Sequence, residues 1–137
     1  MTDRFTLSFM QALEIFDFEG RHEASSPQQL HLALSRRFDD GNHFEIAAVG
    51  RTYPMLDLMV SGDLAVVHYF PVEGKAGAQS IGGLGLSAEV VEFPEDRTGA
   101  TFTLPGSTVI PISTAMRCVE EFSVDLQRPR AVTWLEL

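Results

Sequence analysis

The chain predicts an α+β domain: a mainly antiparallel sheet with two principal helices packed on one face. Three observations lead there. Most apolar runs are short and separated by turn residues, as in a strand meander. Only two segments, about 26–39 and 113–124, carry apolar residues at helical spacing. One connection, Ser61-Gly62-Asp63, has the length and glycine of a tight hairpin.

In chain order, Phe5–Phe18 reads as one or two strands, with Glu19-Gly20-Arg21 turning the chain so that His22–Ser25 pairs back. The first helix is signalled by Ser26 as N-cap, Pro27 in the first turn and Gln29 completing a capping box with Ser26. Leu30, Leu34 and Phe38 then form the core-facing stripe, and Asp39–Asn42 ends the helix. Phe44, Ile46 and Ala48 alternate along His43–Val49 and mark a strand. Met55–Val60 and Leu64–Phe70 are almost wholly apolar, so their hairpin belongs at the centre, covered on both faces, with Gly62 at positive φ. Val72–Ala78 is a Gly-rich loop, and Gln79–Ile81, Leu84–Phe93 and Ala100–Leu104 read as further strands around an exposed turn at Pro94–Gly99. In the second helix, Ser113 is the expected N-cap; Ile112, Ala115, Met116, Val119 and Phe122 share one face, while Arg117, Glu120 and Glu121 face water. Pro129 stops that helix and Ala131–Leu137 is a last strand.

The length of 137 residues suits one domain, 1–137, with a single core. The N-terminus shows no basic, apolar and small-residue pattern of a signal peptide, and the apolar runs are too short to span a bilayer, so a cytoplasmic protein is expected. Cys118 stands alone, which excludes an internal disulfide and a cysteine zinc cage; it reads as a small buried hydrophobe. The net charge of −9 argues against direct nucleic-acid binding, because phosphate repels it. An acidic protein remains suited to a partner that itself presents a basic, nucleic-acid-binding cleft.

Catalytic patterns are missing. The four histidines, His22, His31, His43 and His68, have no metal-ligand spacing, and His68, in an apolar strand, reads as a hydrogen-bonded core or interface residue. Gly82-Gly83-Leu84-Gly85 lacks the Lys-Ser/Thr of a phosphate loop and reads as a bulge or turn. The carboxylates at Asp39/Asp40, Glu92/Glu95/Asp96 and Glu120/Glu121 fall in turns or on a solvent-facing helix side. No serine has a nucleophile-elbow frame. No catalytic residue, metal or cofactor is expected.

From Tyr53 onward the motifs come in a recognisable order. They are Tyr53-Pro54, Ser61-Gly62-Asp63-Leu64-Ala65, Val67-His68-Tyr69-Phe70-Pro71, Glu73-Gly74, Gly77 and Gln79-Ser80. Val109-Ile110-Pro111, Ala115, Glu121-Phe122, Arg128-Pro129, Val132, Trp134 and Glu136-Leu137 complete them. This pattern resembles immunity protein family 1 of bacterial polymorphic-toxin systems. Ala76 and Ala78 depart from it, standing where the family often has a proline and an aromatic.

The resemblance implies a non-catalytic antidote that binds the C-terminal domain of a cognate secreted toxin, often a nucleic-acid deaminase, in the cytoplasm. Asp63, His68, Tyr69, Glu73, Lys75 and Gln79 are the expected toxin contacts, since polar loop residues bear function more often than core residues do. Phe70, Pro111, Phe122 and Trp134 are expected to be structural. Charge reversal at Asp63 and Glu73 should then weaken toxin binding without unfolding the protein. The rival reading is a small acidic secretion chaperone, which would bind an extended segment of an exported effector.

Overall fold

The computed structural model describes residues 10–82 and 90–137. Ten strands are named in it: β1 (Leu13–Asp17), β2 (Gly20–Ala24), β3 (Gly41–Ala48), β4 (Met55–Ser61), β5 (Leu64–Phe70), β6 (Ala78–Ile81), β7 (Val90–Pro94), β8 (Thr101–Pro105), β9 (Ile110–Pro111) and β10 (Thr133–Glu136). Two α-helices, α1 (Pro27–Leu34) and α2 (Ile112–Asp125), interrupt them. Among the described residues the main sheet runs β10-β6-β5-β4-β3-β1-β2, with β9 pairing to the start of β5. Every pairing in it is antiparallel. β7 and β8 form a separate two-stranded ribbon. The expected α+β class is the one observed.

Strand alternation divides the sheet into two faces. Leu13 and Ile15 of β1, Phe44 and Ile46 of β3, Leu56, Leu58 and Val60 of β4, and Ala65, Val67 and Tyr69 of β5 point to one side. There they meet Leu30 and Leu34 of α1 and Ala115, Cys118, Val119 and Phe122 of α2. Met59 and Val66 point to the other side, where Phe93, Phe102 and Leu104 of the ribbon cover them together with Val109. The β4–β5 hairpin is therefore central and is enclosed from both sides at its turn end, while Asp57, His68 and Phe70 at the other end are left partly exposed. Gly62 makes its turn at φ +60.

Several boundaries differ from the expectation. α1 stops at Leu34 instead of Asp39. Phe38 is not part of its stripe: Phe38 and Gly41 exchange backbone hydrogen bonds across Asp39 and Asp40, both at positive φ, and this tight turn feeds the chain into β3. Ser26 caps α1, its Oγ accepting from the Gln29 amide, but Gln29 reaches back to the amide of Ser25 rather than Ser26. α2 begins at Ile112, with Pro111 in the cap position, so Ser113 is not its N-cap. The turn expected at Glu19-Gly20-Arg21 falls at Phe18-Glu19, and Gly20 and Arg21 already belong to β2. The starts of the strands expected at Phe5 and Leu84, and Gly83-Leu84-Gly85 of the glycine run, lie outside the described residues.

The acidic pair on α2 is not left to water. Glu120 accepts from His31 Nε2 at 2.8 Å and ties the two helices together. Glu121 accepts from the amides of Arg130 and Ala131 and holds the Arg-Pro turn that launches β10. Trp134 then donates from Nε1 to the Pro129 carbonyl at 2.7 Å and leans its ring on Tyr69.

Candidate toxin-binding face

Tyr69 and Phe70 are neighbours on a strand, so they point to opposite faces. Tyr69 faces the helices: it is 9% exposed, sits edge-on to Phe122 and donates its hydroxyl to the Leu126 carbonyl. Phe70 faces the other way, half-buried, and stacks on His68 with ring centroids 3.9 Å apart. Tyr69, expected as a toxin contact, thus lies on the helix side, and Phe70, expected to be structural, lies on the opposite face. Tyr69 joins the buried Phe122 and the half-buried Trp134 in the core, while Phe70 lies with His68 on the sheet face opposite the helices. Pro111 is structural in placement, pairing with Leu64 and opening α2.

His68 is fixed by the loop that follows. Its Nε2–H donates to the Ala76 carbonyl at 2.7 Å, which sets the tautomer and holds the loop bearing Glu73 and Lys75 against the end of β5. Gly77 makes that approach possible, because at φ +77 a Cβ there would lie 2.1 Å from the Tyr69 carbonyl oxygen. Glu73 and Lys75 are exposed at the rim, and Gln79 of β6 lies directly opposite His68.

The register extends this arrangement across the sheet. Successive cross-strand partners are Arg21, Phe16, Glu45, Asp57, His68, Gln79 and Leu135, one from each strand along the sheet order. All belong to the face opposite the helices, with neighbours roughly 4.8 Å apart in the pairing direction. Phe16 and Leu135 are large hydrophobics left exposed at 44% and 46%. The row carries carboxylates at its middle, Glu45 and Asp57, and apolar or polar groups to either side.

Five of the six expected contact residues thus map to one end of the central hairpin, four of them with side chains at the surface: His68, Glu73, Lys75 and Gln79. Asp63 is exposed at the opposite end of the seven-residue β5, roughly 20 Å away, and its carbonyl accepts from the Ile112 amide at the start of α2. Glu45, Asp57 and Leu135, which no motif singles out, share this face, as does Phe70, expected to be structural. Strand parity gives their alternation, but not which side the helices cover.

No protein-family model matches the chain. Among curated proteins, the double-stranded DNA deaminase immunity protein of Burkholderia cenocepacia (strain H111) is 28% identical over 122 residues, covering 88% of this chain and 97% of that protein. The chain is similar to a deaminase immunity protein over nearly its whole length. That likeness agrees with the resemblance drawn from the motifs and supports an immunity-protein role. It also extends past them, since 88% coverage must include part of the region before Tyr53, which motif reading left unassigned. Among the described residues, no helix is long and apolar enough to cross a membrane.

Proposed function

We propose that this protein is a cytoplasmic immunity protein that binds the C-terminal deaminase domain of a cognate secreted toxin and blocks it without catalysis. The near full-length likeness to a double-stranded DNA deaminase immunity protein carries the reading. A nucleic-acid deaminase must admit a polyanionic strand, so its substrate cleft is basic. A chain of net charge −9 is attracted to such a cleft, which speeds encounter, and close fit then slows release.

The contact surface is the end of the open sheet face built from His68, Phe70, Glu73, Lys75, Gln79 and Leu135. The stacked His68–Phe70 pair is the aromatic anchor, and Glu73 and Gln79 supply polar contacts beside it. A standard interface takes about 800 Å² from each partner, and this molecule exposes 7439 Å² in all. The site therefore needs about a ninth of the surface, within reach of one sheet face and its adjoining loop.

The test is co-expression with the C-terminal domain of the large secreted protein encoded immediately upstream, scored by cell survival and co-purification. Survival with an equimolar complex, and loss of deaminase activity in that complex, supports the reading. Cell death with both proteins well expressed and no complex formed overturns it for that pair and favours the secretion-chaperone alternative.

A further inference from the structure

Glu45 and Asp57 face each other directly on adjacent strands of the open face. Like charges in that position oppose folding. Asp57 is largely covered, and its Oδ1 is buried without a hydrogen-bond partner among the described residues. His43, two residues before Glu45 on β3 and so on the same face, reaches across to Asp57, with Nε2 3.2 Å from Oδ2. One donor atom from each of the three side chains lies within 4.8 Å of the other two. A cluster holding one imidazole and two carboxylates, with a buried oxygen left over, has the composition of a cation site rather than of a closed hydrogen-bond network.

We infer that His43, Glu45 and Asp57 form a binding site for a divalent transition-metal ion of the zinc class. Mixed imidazole and carboxylate ligands select such ions over magnesium or calcium, which take oxygen donors. A tetrahedral ion about 2.1 Å from each ligand sets its donor atoms roughly 3.4 Å apart. The His43–Asp57 pair is already near that spacing, and Glu45 closes it by a side-chain rotation. His43 and Glu45 also line a shallow cavity of about 220 Å³, with Glu95 at its wall. The cavity gives an ion a path from solvent and leaves a coordination position for water or for Glu95. A bound dication neutralises the facing carboxylates. Asp57 lies beside His68 on the same face, but zinc binding is read without any toxin partner present.

The experiment is calorimetric titration of the full-length, chelator-treated protein with zinc chloride, paired with thermal melts. The expected result is one-to-one binding and a raised melting temperature. Asp57→Asn and His43→Gln each alter a direct ligand and should each lower affinity ten-fold or more, since loss of even an outer-shell partner costs about 10–100-fold. Asp57→Asn removes both the like-charge contact with Glu45 and the ion pair with His43, so its zinc affinity and not its melting temperature is the readout; should it fail to fold, His43→Gln carries the test alone. His31→Ala, at the exposed His31–Glu120 pair, should leave the titration unchanged. Absence of one-to-one binding, or binding that survives His43→Gln, overturns the assignment.

Discussion

His68 and Phe70 stack nearly parallel, 3.9 Å between ring centroids and 8° between planes, while Tyr69 between them points through the sheet to Phe122. Adjacent aromatics on one strand therefore face opposite ways. Phe70→Ala should weaken toxin-domain binding by about 2 kcal/mol, roughly 30-fold, as for an anchor residue at an interface. Tyr69→Phe should leave affinity unchanged and lower stability by about 1 kcal/mol, through loss of its hydrogen bond to Leu126. Titration calorimetry and urea denaturation on the same preparations separate the two effects. The reverse pattern would move the interface to the helix side.

Gly77→Ala should disturb the loop that presents Glu73 and Lys75. The left-handed backbone alone costs about 1–2 kcal/mol for a residue with a Cβ. Contact with the Tyr69 carbonyl adds to it. We expect a lower urea midpoint and weaker toxin binding in the same variant. Unchanged stability would mean that the loop relaxes without strain.

The His43 side chain links stability to pH. Burial pushes its pKa down, but the hydrogen bond and charge of Asp57, with the nearby charge of Glu45, outweigh burial and hold it above the ordinary 6.5. The sign follows: the contribution is complete below 6.5 and is lost as pH rises through the folded pKa. With metal removed, stability should decline as pH rises above 6.5 in the wild type and less steeply in His43→Gln. Urea midpoints across that range test it, and parallel profiles for the two proteins would contradict it.

Asp17 acts on the acid side. Burial raises its pKa, but Arg36 at 2.8 Å, the Glu19 amide, His22 and Asn42 together hold it below the ordinary 3.8. Its contribution is present above 3.8 and is lost as pH falls through the lower folded value. Asp17→Ala should therefore cost about 1–3 kcal/mol at neutral pH, because the donors around it lose their acceptor. The cost should shrink in acid, which equilibrium unfolding at two pH values would reveal.

Cys118 should be chemically silent. It is fully buried on α2, and burial, with the nearby charge of Glu121, pushes its thiol up to about 12. Thiolate is the reactive form. The folded protein should resist iodoacetamide and react only when denatured, and rapid labelling under native conditions would show that α2 opens.

By itself the sequence determined the local features: the Ser26 cap, the Ser61–Asp63 hairpin turn, the apolar strands flanking it, the amphipathic α2 and the order of elements. Each rests on groups a few residues apart, whose spacing is fixed by backbone geometry. The motif order also pointed to the immunity-protein role that the curated relative supports. Tertiary structure decided the rest. It ended α1 at Leu34, because Phe38 bonds to Gly41 instead of continuing the helix. It assigned Tyr69 to the core and Phe70 to the surface, since a period of two gives alternation but not which face the helices cover. It brought His43 and Glu45 of β3 to Asp57 of β4, and Asp57 to His68 of β5, through antiparallel register. No spacing along one strand encodes a partner on the next, so that cluster becomes visible only once the strands are paired.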